Sequence, residues 1–285
     1  MGLIIRPARA EDKAAVLAFT ANVWGGNDYI GEVWDEWLAA EDGALFVGEL
    51  DGETVAVSRL ASLGPGEGWL QGLRVAETVR RRGVARAMTA RGVALSRQRG
   101  DRTLRFMTGE DTVAVHRIAE ELGFRLATAG TWFLGPPVGA APVGPLELLP
   151  ETALDRLWAE AAASPLWART SGLYCVRWRY RRLDPDRLRE HLRAGEVVGL
   201  PGSDTWAIVA AGDGLWIGYA QGSEDALVAL LRAVPSLLPQ SQEEEIRALC
   251  PPDTALARAL AAAGYRSDAG GERCYELDFC SNEQN

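Results

Sequence analysis

Residues 3–6 form a short apolar run closed by Pro7, and apolar side chains then return at helical spacing at Ala14, Val16, Leu17, Phe19 and Val23. The pattern predicts a strand entering a helix over residues 10–23. Gly25-Gly26-Asn27-Asp28 breaks that helix, and a second is predicted over 29–40. Three strand-like runs follow at 45–50, 54–63 and 68–75, the first two joined by Asp51-Gly52, a hairpin signal. Helical spacing resumes over Val84–Arg99, followed by a strand at 103–108, a helix at 112–122 ended by Gly123, and a strand at 124–134.

This order predicts an α/β fold with a mixed sheet crossed by helices. Residues 136–145, rich in Pro and Gly, sustain neither helix nor ladder and read as a linker between residues 1–135 and a second α/β domain at 146–285. A length of 285 residues also suits two domains. Within the second half, 206–210, 215–220 and 246–250 read as strands and Glu224–Ala233 as a helix, repeating the element order of the first half's centre. Residues 258–266 echo 117–125, each a helix end with Gly and an aromatic. The pattern predicts a duplicated fold.

The net charge of −9 argues against general nucleic-acid binding. Arginine and aromatics interleave over Trp167, Arg169, Tyr174, Arg177, Trp178, Arg179 and Tyr180, which in an acidic domain reads as a helix whose arginines cover aromatic faces. Four cysteines without CxxC spacing and two histidines, His116 and His191, make no zinc pattern, so no metal is expected. No apolar run approaches the length of a membrane span, and charges in the first dozen residues do not fit a secretion signal. These features predict a cytoplasmic protein, monomer or homodimer, without membrane or nucleic-acid partners.

The informative chemistry lies in Leu73-Arg74-Val75 and the turn Arg80-Arg81-Arg82-Gly83-Val84-Ala85-Arg86, a strand passing through a loop into a helix. Free N–H groups in the first helical turn and the helix dipole favour an anion there, Gly83 permits close backbone approach, and arginines add charge-assisted bonds. Arg80, Gly83 and Ala85, preceded by Leu73 and Val75, resemble the (Gln/Arg)-x-x-Gly-x-(Gly/Ala) signature of the GNAT acetyltransferase superfamily. The helix before Gly123-Phe124 matches a later element of the family. The resemblance covers residues 3–134 and implies a GNAT fold using acetyl-CoA, with a second, degenerate GNAT-like domain behind it.

It further implies that backbone groups of Leu73, Arg74 and Val75 meet the pantetheine arm, that Arg80–Arg86 wraps the pyrophosphate, and that Thr112 and His116 approach the cofactor. His116 alone reads as a packed helix residue. The family's Asn and Tyr positions on the penultimate helix hold Thr112 and Ala119, so no phenol stands ready there to protonate the thiolate. Where relatives carry a Glu on the fourth strand this chain has Gln71, which orients water without titrating. Glu67, of the same strand parity, and Tyr29 are the other catalytic candidates; Asp28, Tyr29 and Glu110 are candidates for the acceptor site. Weak base machinery favours an α-amine, which costs about 1 kcal/mol to deprotonate at pH 7, over a lysine amine at about 4.6 kcal/mol. Residues 24–30 and 71–75 are also similar to the branch containing histidine N-acetyltransferases. The expected function is acetyl transfer to a small-molecule amine in a ternary complex. A non-catalytic coenzyme-A-binding module, a protein N-terminal acetyltransferase and a nucleic-acid-associated protein stand as alternatives.

Overall fold

A computed structural model describes residues 2–135, 144–238 and 245–280. Its contacts divide into two compact units, the first made of residues 1–106, 112–125 and 275–285, the second of 107–111 and 126–274. The order runs β1 (Ile4–Pro7), α1 (Asp12–Thr20), a tight helical turn at Val23–Gly26, α2 (Ile30–Ala39), β2 (Ala44–Leu50), β3 (Glu53–Gly64), β4 (Glu67–Val75), α3 (Val84–Arg99), β5 (Thr103–Gly109), α4 (Val113–Glu121) and β6 (Arg125–Leu134). Next come β7 (Glu147–Leu148), α5 (Leu154–Ala162), α6 (Pro165–Thr170), β8 (Leu173–Val176), β9 (Arg179–Arg182), α7 (Pro185–Arg193) and β10 (Val197–Gly199). The chain closes with β11 (Trp206–Gly212), β12 (Gly214–Gln221), α8 (Glu224–Ala233), β13 (Ile246–Cys250), α9 (Ala255–Ala262) and β14 (Arg266–Asp278).

In the first unit the strand order is β1-β2-β3-β4-β5, with the last residues of β14 beside β5. Alternation along β2 builds two cores. Leu45 and Val47 pack with Val16, Ile30, Trp34 and Trp37 of α1 and α2, while Phe46 faces the opposite way with Leu70, Met88, Leu104 and Phe106. Trp34 and Trp37 both lie in the first of these cores. α1 stops at Thr20, earlier than its apolar period suggests, because the following turn needs left-handed backbone at Trp24, Gly25 and Gly26.

The second unit orders its strands β6-β13-β12-β11-β10-β7. As in the first, antiparallel pairs lead to one parallel pair, here β12 with β13 and there β4 with β5. The sequence echo has a structural counterpart: Phe124 N–H donates to Ala119 O at 2.9 Å after left-handed Gly123, and Tyr265 N–H to Leu260 O at 3.0 Å after left-handed Gly264.

Two features differ from the sequence-based expectation. A single cut at residue 135 does not reproduce the units: 126–134 counts with the second unit, where β6 pairs with β13 (Leu134↔Arg247 to Thr131↔Cys250), and Tyr275 onward counts with the first. Strand membership follows ladder partners rather than chain order. Residues 136–143 of the expected linker lie outside the described residues. The aromatic–arginine stretch is not one helix: α6 ends at Thr170 and the antiparallel hairpin β8–β9 follows, turning at Arg177-Trp178 with φ of 51° and 62°. Buried Leu173, Cys175 and Tyr180 hold this hairpin to the core although its turn lacks the usual Asn-Gly chemistry. Among the described residues no helix is long and apolar enough to cross a membrane.

Candidate active site

Parallel pairing between β4 and β5 is confined to Glu67↔Thr103, Gly68↔Leu104 and Trp69↔Arg105. From Leu70 on, β4 runs without that partner, leaving backbone groups along its free edge. A bulge sharpens the divergence: β3–β4 register passes from Val57↔Arg74 to Arg59↔Gln71, so Gly72 and Leu73 together oppose Ser58. Gly72 sits at φ 67°, and a Cβ there would stand 2.6 Å from Trp37, so this bend admits no side chain. Beside it the Gln71 side-chain nitrogen is buried without a hydrogen-bond partner among the described residues.

Beyond Val75 the chain makes a tight turn at Glu77–Val79 and reaches α3 through Arg81 (φ 63°) and Gly83 (φ 79°). Left-handed backbone at an arginine is uncommon, and such strain concentrates at functional turns. Gly83 caps α3 without a side-chain bond, no acid occupies the first turn, and the first helical bond is Ala87 N–H to Gly83 O at 3.0 Å. The N–H groups of 83–86 are therefore unbonded within the helix at the positive end of its dipole, an arrangement that suits an anion. Val84 is buried and pins the helix start, while Arg80, Arg81, Arg82 and Arg86 are exposed. Arg80 pairs with Glu77 at 2.9 Å and Arg86 with Glu121 at 3.0 Å; Arg81 and Arg82 have no ion pair among the described residues. The turn expected from sequence is thus assembled as one surface.

The acceptor candidates are placed less uniformly. Asp28 is almost fully buried, with Oδ2 2.7 Å from Arg74 Nε and Oδ1 accepting from Ile30 N–H at 3.0 Å. It thus takes the first N–H of α2 and neutralises Arg74. Tyr29 stacks on Trp24 at 6.0 Å and meets the edge of Trp37 at 5.9 Å, and the Arg74 guanidinium lies 4.4 Å from the Trp24 ring and 5.4 Å from Tyr29. Trp24, exposed and left-handed at φ 49°, joins this cluster of aromatics around Arg74, and sequence reasoning did not single it out. The signal was its place beside Gly25-Gly26.

Glu67 stands in the paired part of β4, before the bulge. Its carboxylate bonds Arg105 at 2.9 Å; Arg105 is 1% exposed and also bonds Glu276 at 2.5 Å. A carboxylate spent on a buried guanidinium is poorly arranged to accept a substrate proton, so the structure gives Glu67 a clamping role instead of the base role expected for it. Glu110 belongs to the second unit, where it pairs with Arg273 at 3.4 Å and donates its N–H to Gly271 O at 2.8 Å. Thr112 O accepts the first bonds of α4, from Val115 and His116 N–H. His116 is buried, 5.7 Å from the Tyr275 ring, which itself stacks on Phe106 at 5.4 Å. Ala119 is fully buried and offers no proton. Among the described residues no cluster of His, Cys, Asp and Glu has metal-holding geometry.

Residues 14–124 match the acetyltransferase (GNAT) family, and the first unit is a GNAT acetyltransferase domain, of a family that uses acetyl-CoA. No curated protein matches the chain in sequence. Three solved structures share the fold across nearly the whole chain. A GCN5-related N-acetyltransferase from Sphaerobacter thermophilus is 14% identical, with TM-score 0.61, over 97% of this chain and 95% of that one. A putative acetyltransferase from Pyrococcus horikoshii is 15% identical, with TM-score 0.59, over 98% and 90%. A tandem GNAT protein from the clavulanic acid biosynthesis pathway is 16% identical, with TM-score 0.57, over 97% and 98%. The first unit is thus an acetyltransferase domain by class, and a second GNAT-like fold follows it.

Proposed function

We propose that the first unit moves the acetyl group of acetyl-CoA to the primary amine of a small molecule, preferentially the α-amine of an amino acid, by direct transfer with both substrates bound. The carrying observation is the start of α3: uncapped, free of acids, flanked by Arg81 and Arg82, and entered through left-handed backbone at Arg81 and Gly83. These groups fit a pyrophosphate, and the free edge of β4 after its bulge fits an amide-bearing arm beside it. When bound, acetyl-CoA supplies a thioester carbon open to attack by a neutral amine.

The residues of this chain then orient and exclude water rather than abstract a proton. The two acidic candidates of this unit, Asp28 and Glu67, are held by Arg74 and Arg105, and Gln71 offers an amide whose nitrogen has a bond to give. An acceptor that is already substantially neutral near pH 7 suits this arrangement, as an α-amine is and a lysine side chain is not. Trp24 and Tyr29 beside Arg74 supply an aromatic wall for such an acceptor.

Purified protein incubated with acetyl-CoA and a panel of free amino acids, polyamines, aminoglycosides and short peptides with free amino termini tests this, with thiol release and product mass as readouts. Turnover of free amino acids supports the reading. Turnover of peptides alone moves the acceptor to a protein terminus, and tight coenzyme A binding without any turnover makes the unit a binding module.

A further inference from the structure

The second unit contains a cavity of about 470 Å³, within the range of small-molecule sites. Parallel pairing of β12 with β13 is confined to Leu215↔Ile246, Trp216↔Arg247 and Ile217↔Ala248, and the cavity opens past the C-terminal end of β12, between the starts of α8 and α9 with α6 across it. Crevices beyond the carboxyl ends of diverging parallel strands are where open α/β sheets take ligands.

Its chemistry differs from a phosphate site. Ser223 accepts from Ala226 N–H at the start of α8 and Thr254 from Ala257 N–H at the start of α9, so both helix starts are capped, and α8 adds Glu224 and Asp225. Two ion pairs stand at the cavity: Arg169 to Asp253, both lining it, at 3.3 Å, and Arg258, which also lines it, to Glu224 at the start of α8 at 2.9 Å. All four side chains are roughly half exposed, so each pair is weak in water and exchanges partners readily. Beneath them Leu166, Leu227 and Leu256 make an apolar floor. Leu166 and Leu256 also wall an inner void whose lining includes Tyr180 and Thr128, both more than nine-tenths buried and each with a hydroxyl lacking a partner among the described residues.

We infer that this cavity binds a small zwitterion, an amino acid or short peptide, whose carboxylate takes an arginine and whose ammonium takes the acid released. Two guanidiniums against two carboxylates leave the mouth neutral, so a ligand carrying both charges exchanges both partners without stranding either. A simple anion leaves Glu224 or Asp253 unpaired beside it. This site is separate from the acceptor site of the first unit and does not rest on that reading.

Hydrogen exchange of the full chain, read by mass spectrometry, with free amino acids and dipeptides up to about 10 mM tests it. Protection is expected at 165–170, 220–227 and 253–258, lost for ligands with a blocked carboxylate or an acetylated amine. Arg258→Ala and Glu224→Gln should each weaken it by at least about tenfold; both are exposed positions, and unchanged exchange elsewhere confirms folding. Amino acids protecting where dipeptides do not, or the reverse, fixes the ligand's size. Protection by coenzyme A or acetate as strong as by zwitterions, or none by any zwitterion in these segments, overturns the inference.

Discussion

In the first unit α3 begins at Gly83 with no side-chain cap and no acid in its first turn; in the second α8 begins at Ser223, capped and followed by Glu224 and Asp225. The strands that lead into them are alike. Each takes part in an antiparallel pair on one side and a three-residue parallel pair on the other, after which the parallel partner is no longer bonded. One backbone plan therefore carries opposite electrostatics, and the difference is written in the few residues at each helix start. Backbone N–H groups bind an external anion only where no serine or threonine hydroxyl already occupies them and no carboxylate repels it.

The sharpest way to break the contrast is to give α3 the chemistry of α8. Gly83→Glu puts an acid on left-handed backbone at the phosphate site and should weaken coenzyme A binding at least about a hundredfold in a calorimetric titration. Gly83→Ala meets no atom within 4 Å, so only its backbone strain of about 1–2 kcal/mol counts, and its loss should be smaller. Unchanged affinity in both removes the phosphate assignment.

Acid should separate the units next. In the first, hydrogen bonds from Arg6, outweighing the opposing effect of burial, lower Asp12 from 3.8 to about 2. A depressed carboxyl stabilises fully above its unfolded value, and the gain disappears as pH falls through its folded one. Asp12→Asn should thus cost about 2 kcal/mol at pH 7 and almost nothing near pH 2, measured by denaturant titration of both proteins. In the second unit burial raises Glu272, a change of opposite sign, so its charge opposes folding at pH 7 and that cost fades as the carboxyl protonates in acid.

Smaller still, Arg81→Ala or Arg82→Ala should weaken coenzyme A about tenfold each, as exposed charge-assisted bonds are lost, and the loss should shrink in high salt. At the bottom of the series, Ser223→Gly with Asp225→Asn should leave coenzyme A stoichiometry at one per chain. A second equivalent would show that the Ser223 cap and Asp225 alone separate the two helix starts.

The conformation of the turn before α3 was legible because it is contiguous: within residues 80–86, glycine, small residues and arginines stand at the spacing a helix start imposes. The strands and helices of the first unit, and the centre of the second from residue 206 to 250, were legible for the same reason, their periods being local. Glu67 was not. Its parity with Gln71 is a local fact, whereas its commitment to Arg105 depends on a guanidinium also held by Glu276, 171 residues from Arg105 in the chain. Asp28 likewise looked available until Arg74 closed on it across 46 residues. The hairpin β8–β9 was misread because burial of its strands, rather than its turn residues, selects it.

By itself the sequence determined the order of elements in the first unit, the repeated plan and the uncapped helix start after Gly83, since these follow from dihedral preferences, side-chain period and capping within a few residues of each other. Only the tertiary structure decided which carboxylates are engaged, which strands belong to which unit, and where a cavity opens between helix starts. Those outcomes depend on partners brought together from distant parts of the chain, and burial makes the pairing of a charge compulsory where solvent would have left it optional.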